Sequence, residues 1–330
     1  KRGEKCVVFE NASHWRVSGL ELGNCGGLGL CFQFPDCETH ENITVENCYF
    51  HHIYGIDQRH PMEGEHYQFS AGIGIGGGIK GVYLKNCQAF MCGSLTVTIS
   101  EKGCYDREQT MHRDYFVEGC VCKSNTIYGI VLSEITGGSM KNCTFQYNGT
   151  QNIPVGSTAV MLGNLSDYVI SDCEVAYQQR LDIDPDGCGI DFECACDDVI
   201  VERCNIHHNA GAGIMFFDNS GWLNHRCIVR DCVFDRNNQN GYIPSGCEVY
   251  FQAPENNNGG MVCGNTYCLA AGVQFVNEHD ASVTFADNTQ KESTDRPVDK
   301  TVFRASDAFD FYNGRDGWQY LSADASGRER

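Results

Sequence analysis

The chain has 330 residues and a net charge of −19, because 43 Asp and Glu residues outnumber 24 Lys and Arg residues. Such an acidic surface repels nucleic acids and anionic membranes, and no apolar run approaches the length of a membrane span. The charge also argues mildly against a polyanionic substrate, whose binding usually needs basic residues or bridging calcium.

A short pattern, apolar-x-x-Cys-x-apolar, recurs along the whole chain, as in ITVENCYFHH from position 43 and VIVERCNIHH from position 199. The spacing between copies runs from 23 residues (Cys120 to Cys143) to 39 residues (Cys48 to Cys87). The anchor position is occupied in ten copies by Leu20, Cys48, Cys87, Cys120, Cys143, Cys173, Cys204, Cys232, Asn265 and Asn288.

A second pattern, Gly-apolar-x-apolar, follows most anchors, as in GIGI (72), GIDF (189) and GVQF (272). We therefore expect two short alternating strands per copy, separated by polar turns. No segment shows a sustained helical period, so little helix is expected. Repeats this short cannot bury a core alone and must stack on their neighbours.

These patterns predict an all-β fold over residues 1–290, a single-stranded right-handed parallel β-helix of about ten coils. The coils would be about 4.8 Å apart, with the anchors stacked inside as a ladder. A β-propeller needs about four strands per blade at a steadier spacing and is rejected. The chain begins inside a copy, at KCVVFENASHWRVSGLEL, so we expect the natural chain to begin earlier.

The chain contains 21 cysteines, and seven of them occupy anchors. Inside a β-helix a cysteine acts as a small apolar residue, so we interpret these seven as buried free thiols. Free thiols favour a reducing setting, either the cytoplasm or secretion by an anaerobic bacterium. A zinc site at Cys188, Cys194 and Cys196 is not favoured, because the CxxC pairs of structural zinc sites are missing.

One coil, LDIDPDGCGIDFE, differs from all others because its strand carries two outward carboxylates, Asp191 and Glu193. The preceding turn adds Asp182, Asp184 and Asp186. Residues two apart on a strand have β-carbons about 7 Å apart, which lets the carboxyl groups lie about 5 to 9 Å apart. Retaining glycosidases need about 5–5.5 Å and inverting ones about 6.5–9.5 Å, so both mechanisms fit.

Neighbouring coils supply side chains that could hold a sugar beside these acids. Met161 and Gly163 leave space, and aromatic rings can stack on sugar rings. The predicted substrate-binding residues are Glu134, Asn164, Phe217, Asp218, Trp222 and Tyr250.

Two other interpretations of the acidic coil stay open. Asp182 to Glu193 matches the spacing D-x-D-x-D-G-x5-E of a calcium loop, although Pro185 and the following strand are foreign to an EF-hand. The carboxylates could also be solvated surface charge in a strongly acidic protein. We expect no cofactor, with calcium as the one alternative.

The histidine pairs His51–His52 and His207–His208 follow their anchors at equivalent places. Other copies hold ordinary polar residues there, so we interpret both pairs as surface histidines.

The C-terminal part departs from the repeat. Residues 291–300 (KESTDRPVDK) indicate a linker, and residues 301–330 a C-terminal extension. Its run FDFYNGRDGWQY resembles the opening strand of a carbohydrate-binding β-sandwich.

Residues 156–217 resemble pectate-lyase-like β-helix proteins of carbohydrate-degrading bacteria, most of all those grouped around glycoside hydrolase family 141. The motif residues are Asp186, Gly187, Gly189, Asp191, His208, Asn209 and Gly213. The resemblance implies glycan hydrolysis, with Asp191 as one acid and Asp186 or Glu193 as the other.

The sequence therefore predicts a glycoside hydrolase that acts on a plant or host oligo- or polysaccharide. A polysaccharide lyase is the second enzyme class, but it needs a Lys, Arg or His base that the outward positions lack. A non-catalytic glycan-binding or structural β-helix is the third interpretation.

Overall fold

The computed structural model describes residues 5–34, 40–53, 70–99, 111–151, 156–181, 184–218, 221–238 and 246–292. This part of the chain forms 28 β-strands and no helix. Accordingly, none of the described segments is a helix that is long and apolar enough to cross a membrane. The strands pair in parallel, each with the strand one coil before or after it, as in β1 and β4 (Lys5–Glu10, Leu28–Gln33). The predicted parallel β-helix is confirmed.

A ten-stranded sheet contains one short strand from each coil, and each strand begins directly after a predicted anchor. All ten predicted copies therefore correspond to real coils. The strands are β3 (Glu21–Gly23), β6 (Tyr49–His51), β9 (Gln88–Phe90), β12 (Val121–Lys123), β14 (Thr144–Gln146), β16 (Glu174–Ala176), β19 (Asn205–His207), β22 (Val233–Asp235), β25 (Thr266–Cys268) and β28 (Thr289–Gln290).

A 14-stranded sheet forms a second side of the first coils and branches at β15, which pairs with both β17 and β18, so that it covers two sides of the later coils. Its strands are β2 (Trp15–Ser18), β5 (His40–Glu46), β8 (Ile79–Lys85), β11 (His112–Glu118), β13 (Ile130–Lys141), β15 (Thr158–Ser171), β17 (Cys188–Cys194), β18 (Ile200–Glu202), β20 (Ile214–Phe216), β21 (Ile228–Arg230), β23 (Cys247–Phe251), β24 (Met261–Cys263), β26 (Gln274–Val276) and β27 (Thr284–Ala286).

A four-stranded sheet covers the third side of the first coils, in the order β1, β4, β7 (Ala71–Gly76) and β10 (Thr96–Ile99). Most coils therefore have three strands, and the prediction of two strands per copy is wrong. The strand missed in the sequence is the one that follows each anchor, because it has only two or three residues. Alternation cannot be recognised over so short a stretch.

The seven anchor cysteines stack in register inside the coils. Thr144 pairs with Glu174 and Glu174 with Asn205, which places Cys143, Cys173 and Cys204 one above the next. These three are at most 2% exposed, and all seven anchor cysteines are free thiols. The predicted thiol ladder is confirmed.

A second, polar ladder lies at another corner and was not predicted. The backbone NH of Gln178 donates to Asn209 Oδ1 (2.9 Å), and that of Asn209 donates to Asn237 Oδ1 (3.1 Å). The ladder ends at Glu248, which accepts from the Asn237 backbone NH (3.0 Å) and from its Nδ2 (2.6 Å). Burial raises the pKa of Glu248 to about 8.

The interpretation of the histidine pairs as surface residues is wrong. His52, His207 and His208 are buried, and the two rings of each pair contact through Nδ1 atoms 3.0 Å apart. His207 Nε2 also lies 3.2 Å from Glu174 Oε1 of the preceding coil. The rings are covered by side chains of the neighbouring coils. This burial cannot be recognised from a single copy of the repeat.

The predicted C-terminal extension and all but the first two residues of the predicted linker lie outside the described residues. The last described strand ends at Gln290.

Candidate active site

The strand of the acidic coil, β17, lies between β15 and β20 in the 14-stranded sheet. Ile190 and Phe192 are fully buried in the core, so Asp191 between them lies on the outer face, as predicted. There Asp191 is in register with Met161 of β15 and Met215 of β20. An apolar side chain therefore flanks this carboxyl group in each neighbouring coil.

The prediction that Asp191 is exposed to solvent is wrong, because its side chain is only 1% exposed. Two apolar clusters on the outer face account for the burial. One contains Met161 with Ile127, Tyr128 and Val131, and the other contains Met215 with Cys188, Ala212, Phe217 and Tyr250. Asp191 lies between them in a surrounding of low polarity.

Glu193 occupies an irregular position in the sheet. Leu162 pairs with Phe192, but the next residue, Gly163, pairs with Cys194, so Glu193 has no partner in β15. Bulges of this kind redirect a side chain and are frequent beside active sites. An added Cβ on Gly163 would touch only Cys194 Sγ and Ser133 Cβ, both at 3.9 Å, so open space adjoins the bulge.

The carboxyl groups of Asp191 and Glu193, two residues apart on β17, lie close enough to influence each other. Burial, followed by the negative charges of Glu193 and Asp186, raises the pKa of Asp191 well above its usual range. This shift favours the protonated form of Asp191, and its Oδ1 has no hydrogen-bond partner among the described residues.

Asp184, in the preceding turn, is fully buried and shapes the backbone. Its Oδ1 accepts from the backbone NH of Ser157 (3.1 Å) and of Asp186 (3.0 Å), and its Oδ2 accepts from the Ser157 hydroxyl. Burial raises its pKa to about 6. Because both oxygens are engaged, Asp184 positions the turn and is not available to a ligand.

Asp186 is the second predicted acid beside the strand, and it is only partly exposed. Its pKa is raised to about 7, first by burial and then by the charges of Asp184 and Glu193, while Arg180 acts in the opposite direction. Asp186, Asp191 and Glu193 therefore influence one another electrostatically. The structure brings these three predicted catalytic residues together, and we call them the acid cluster.

Tyr128 faces the acid cluster and was not predicted. It is buried, and its pKa is raised well above the usual range by burial and then by the charges of Glu193, Asp191 and Asp186. The signal that could have found it is the glycine that follows. An added Cβ on Gly129 would meet Phe145 of the core, so the residue before this glycine lies on the outer face.

Glu134 and Asn164 lie together at the corner beyond the outer face. Asn164 Nδ2 donates to Glu134 Oε2 at 2.8 Å, and both residues have positive φ values, 49° and 58°. Glu134 and Glu193 both act on the Cys194 thiol, whose pKa is raised chiefly by burial. This pair therefore borders the acid cluster, as its predicted binding role requires.

Phe217 and Tyr250 lie on the far side of the acid cluster. Both are partly exposed and pack in one cluster with Met215, which is in register with Tyr250. They form an apolar wall on the outer face next to Asp191, which suits contact with a sugar ring.

Asp218 and Trp222 lie at the far edge of this region. Asp218 Oδ1 accepts from the Gly221 NH at 2.7 Å, which closes a turn. Trp222 is 57% exposed, and its carbonyl accepts from the NH of Ala195 at 3.0 Å. Neither residue makes a described contact with the acid cluster, so their binding role stays a prediction.

Within the described ranges, no group of three or more His, Cys, Asp and Glu side chains is arranged to hold a metal ion. Asp182, the first residue of the calcium-like spacing, lies outside these ranges. Asp184, the next acid of that pattern, accepts hydrogen bonds from backbone NH groups and from a hydroxyl group with its two carboxylate oxygens.

Comparison with protein families gives one match, to the family described as "Right handed beta helix region", over residues 81–258. This agrees with the right-handed sense predicted from the repeats. No curated protein sequence matches the chain.

Solved structures share this fold. The GH136 lacto-N-biosidase from Eubacterium ramulus superposes with a TM-score of 0.68 at 14% identity, over 87% of this chain and 51% of its own. The chain thus spans about half the length of that protein. The DFA-IIIase from Arthrobacter chlorophenolicus gives a TM-score of 0.47 at 10% identity, over 84% of this chain and 70% of its own. At these identities the likeness concerns the fold alone.

Proposed function

Because the chain belongs to the right-handed β-helix family, we propose that it is a glycoside hydrolase whose acid cluster cleaves an oligo- or polysaccharide. The observation that carries the proposal is the acid cluster, in which Asp191 and Glu193 stand two residues apart on β17 and Asp186 lies close enough to influence both. Glycoside hydrolysis requires one protonated and one ionised carboxyl group on the two sides of the scissile bond.

Asp186 is assigned as the general acid. A pKa raised to about 7 leaves a large share of its side chain protonated at neutral pH, ready to protonate the leaving oxygen. Glu193 is assigned as the carboxylate that activates water or attacks the anomeric carbon, because the bulge places it outside the regular pairing of β15 and β17 beside the open space at Gly163.

Asp191 is a positioning residue in this assignment. It is buried, and its raised pKa favours the protonated form. In this assignment its proton is donated to the Glu193 carboxylate, which holds that carboxylate in place and stabilises its negative charge. This reverses the role expected from the family 141 resemblance, in which Asp191 itself is one of the two acids. Its 1% exposure is the reason, since a reacting acid must touch the substrate.

The apolar wall of Phe217 and Tyr250 and the corner pair of Glu134 and Asn164 are assigned to sugar binding. The shared fold with the GH136 lacto-N-biosidase supports a glycosidase on this scaffold, and the motif residues support the family 141 group. Fold likeness alone does not fix a reaction, so the acid cluster carries the assignment.

The test measures release of reducing ends from a panel of oligosaccharides. Asp186→Asn and Glu193→Gln should each lose about 100-fold or more in activity. Asp231→Asn is the matched control. Asp231 is exposed, has a positive φ of 55° that asparagine tolerates, and lies in the connection between β21 and β22. It should stay within about twofold of the wild type.

Two further variants distinguish a positioning role of Asp191 from a direct catalytic role. Asp191→Asn keeps a donor toward Glu193 and should retain most activity, whereas Asp191→Ala should lose about tenfold or more. If the wild type cleaves a glycan and Asp186→Asn and Glu193→Gln cleave it equally well, the proposal fails. Products with a new carbon–carbon double bond would indicate a lyase, and binding without cleavage a non-catalytic protein.

A further inference from the structure

A groove of about 620 Å³ lies on the outer face of the 14-stranded sheet, around the corner from the acid cluster. Two cationic side chains, two carboxylates and a threonine border it. It is lined by Lys80, Met111, Arg113, Asp114, Thr136, Gly137 and Asp167. We call it the cation groove.

Lys80 and Arg113 lie opposite each other on adjacent strands, β8 and β11, and both are exposed. Like charges in this arrangement repel and destabilise a sheet. Neither forms an ion pair or a side-chain hydrogen bond with any residue of the described chain. Glu41, in register with Lys80, and Asp114 and Asp167 are all beyond ion-pair distance.

Other arginines of the described chain form ion pairs with carboxylates. Each of the following is paired with one or more carboxylates: Arg16, Arg203, Arg226, Arg230 and Arg236. In a protein of charge −19, two adjacent cations with no acidic partner among the residues that the structure describes differ from these paired arginines.

We propose that the cation groove binds the anionic group of an acidic sugar, a carboxylate or a sulfate, on the glycan that the acid cluster cleaves. This inference rests on the proposed function. The guanidinium of Arg113 can hold a carboxylate or sulfate through two parallel hydrogen bonds, and Lys80 adds a second charge. Asp114 and Asp167 can accept hydrogen bonds from the hydroxyls of the same sugar.

The wall between the cations and the carboxylates is polar as well. Thr136 is in register with Arg113, and its hydroxyl lies 3.0 Å from the Ser166 hydroxyl of the next coil. The glycine at position 137 has a φ of 77° and presents no side chain. The groove therefore has room for a ring and hydroxyl partners beside the charged contact.

The net charge of the protein limits the ligand to few anionic groups. Charges are screened over about 8 Å at physiological salt, so the distant acids do not cancel Lys80 and Arg113 at contact distance. A polyanion would extend past the groove onto acidic surface and be repelled. The groove thus selects a mostly neutral glycan with an occasional acidic unit.

The test measures binding without turnover, by calorimetry or ligand-observed NMR. The probes are galacturonate, a monosulfated galactose, and neutral galactose. Wild-type protein should bind the two anionic sugars in the millimolar range and bind galactose at least about tenfold more weakly. The two anionic probes distinguish a carboxylate from a sulfate, and binding of either supports the proposal. Equal binding of all three sugars would overturn it.

A charge-matched pair of variants excludes a general electrostatic effect. K80Q/R113Q removes the groove cations, and K85Q/K141Q removes two exposed lysines that lie 3.7 and 3.6 Å from Glu118. The first should lose at least about tenfold in affinity for the anionic sugar, and the second should stay within about twofold. An equal loss in both variants would contradict the inference.

The same probes separate this inference from the proposed function. The Glu193→Gln variant should bind galacturonate as the wild type does, whether or not any glycan is cleaved. If no glycan is cleaved but K80Q/R113Q alone loses binding, the groove stands as a ligand site and the hydrolase assignment falls. If glycans are cleaved and K80Q/R113Q binds and cleaves acidic ones unchanged, the groove inference falls alone.

Discussion

The carboxylate of Asp186 occupies the space that a side chain at position 156 would need. An ideal Cβ built on Gly156 would lie 1.5 Å from Asp186 Oδ2 and 2.5 Å from its Cγ. Glycine is required here because of this close approach, so position 156 fixes where the acid can lie.

Gly156→Ala should therefore displace the Asp186 carboxyl group and lower kcat/KM by about tenfold or more. Steady-state kinetics of Gly156→Ala, Asp186→Ala and the double variant check this as a cycle. In the Asp186→Ala background the alanine at 156 has nothing to displace and should cost no further activity. A full additional loss there would mean that position 156 acts through another group.

The pH profile of activity should follow Asp186. Since its pKa is raised to about 7, the general acid is protonated below that pH and loses its proton above it. The wild-type kcat/KM should therefore decline about tenfold per pH unit above pH 7. The residual activity of Asp186→Asn should lack this alkaline decline. A wild-type profile that stays flat to pH 9 would contradict the assignment.

Glu248, at the end of the polar ladder, should make the fold less stable at high pH. Its folded pKa of about 8 lies above the value of an unfolded glutamate, so its contribution is complete below about pH 4.5 and is lost as pH rises through 8. Between pH 5 and 8.5 the unfolding free energy of the wild type should fall by on the order of 4 kcal/mol more than that of Glu248→Gln.

Chemical denaturation at the two pH values measures this difference. Glu118→Gln is the control, because Glu118 lies at the surface between Lys85 and Lys141 and should keep the wild-type pH dependence. Parallel curves for Glu248→Gln and the wild type would show that Glu248 does not titrate between the two states.

The thiol ladder should contribute to stability as packed apolar volume. Cys143 is 1% exposed between Cys120 and Cys173, so Cys143→Ala should leave a small cavity and lower the unfolding free energy by about 1–2 kcal/mol. Cys6→Ala, at an exposed position, should change it by less than about 0.5 kcal/mol. Equal effects at both sites would argue against tight packing of the ladder.

The coils and their register could be predicted from the sequence because each of the seven anchor cysteines repeats a buried position. Cys143, Cys173 and Cys204 each stand between apolar residues at constant offsets, and stacking is the arrangement that buries them all. Likewise, the alternation of Ile190 and Phe192 was enough to place Asp191 on the outer face.

The burial of Asp191 and the irregular strand position of Glu193 could not be predicted, because both depend on other coils. Met161 and Met215 flank Asp191 from strands far away in the chain. The bulge at Glu193 appears only when the pairing of Gly163 with Cys194 is known. The polar ladder was missed for a related reason, since its members follow no single sequence motif.

Strand β15 passes the acid cluster at Met161 and the cation groove at Asp167 without interruption. Six residues separate these positions, so their backbones are at most about 20 Å apart. A continuous strand, paired on both edges, cannot stretch or shorten. A glycan chain that contacts both places must span this fixed distance. Cleavage should therefore occur at a constant number of sugar units from the acidic unit.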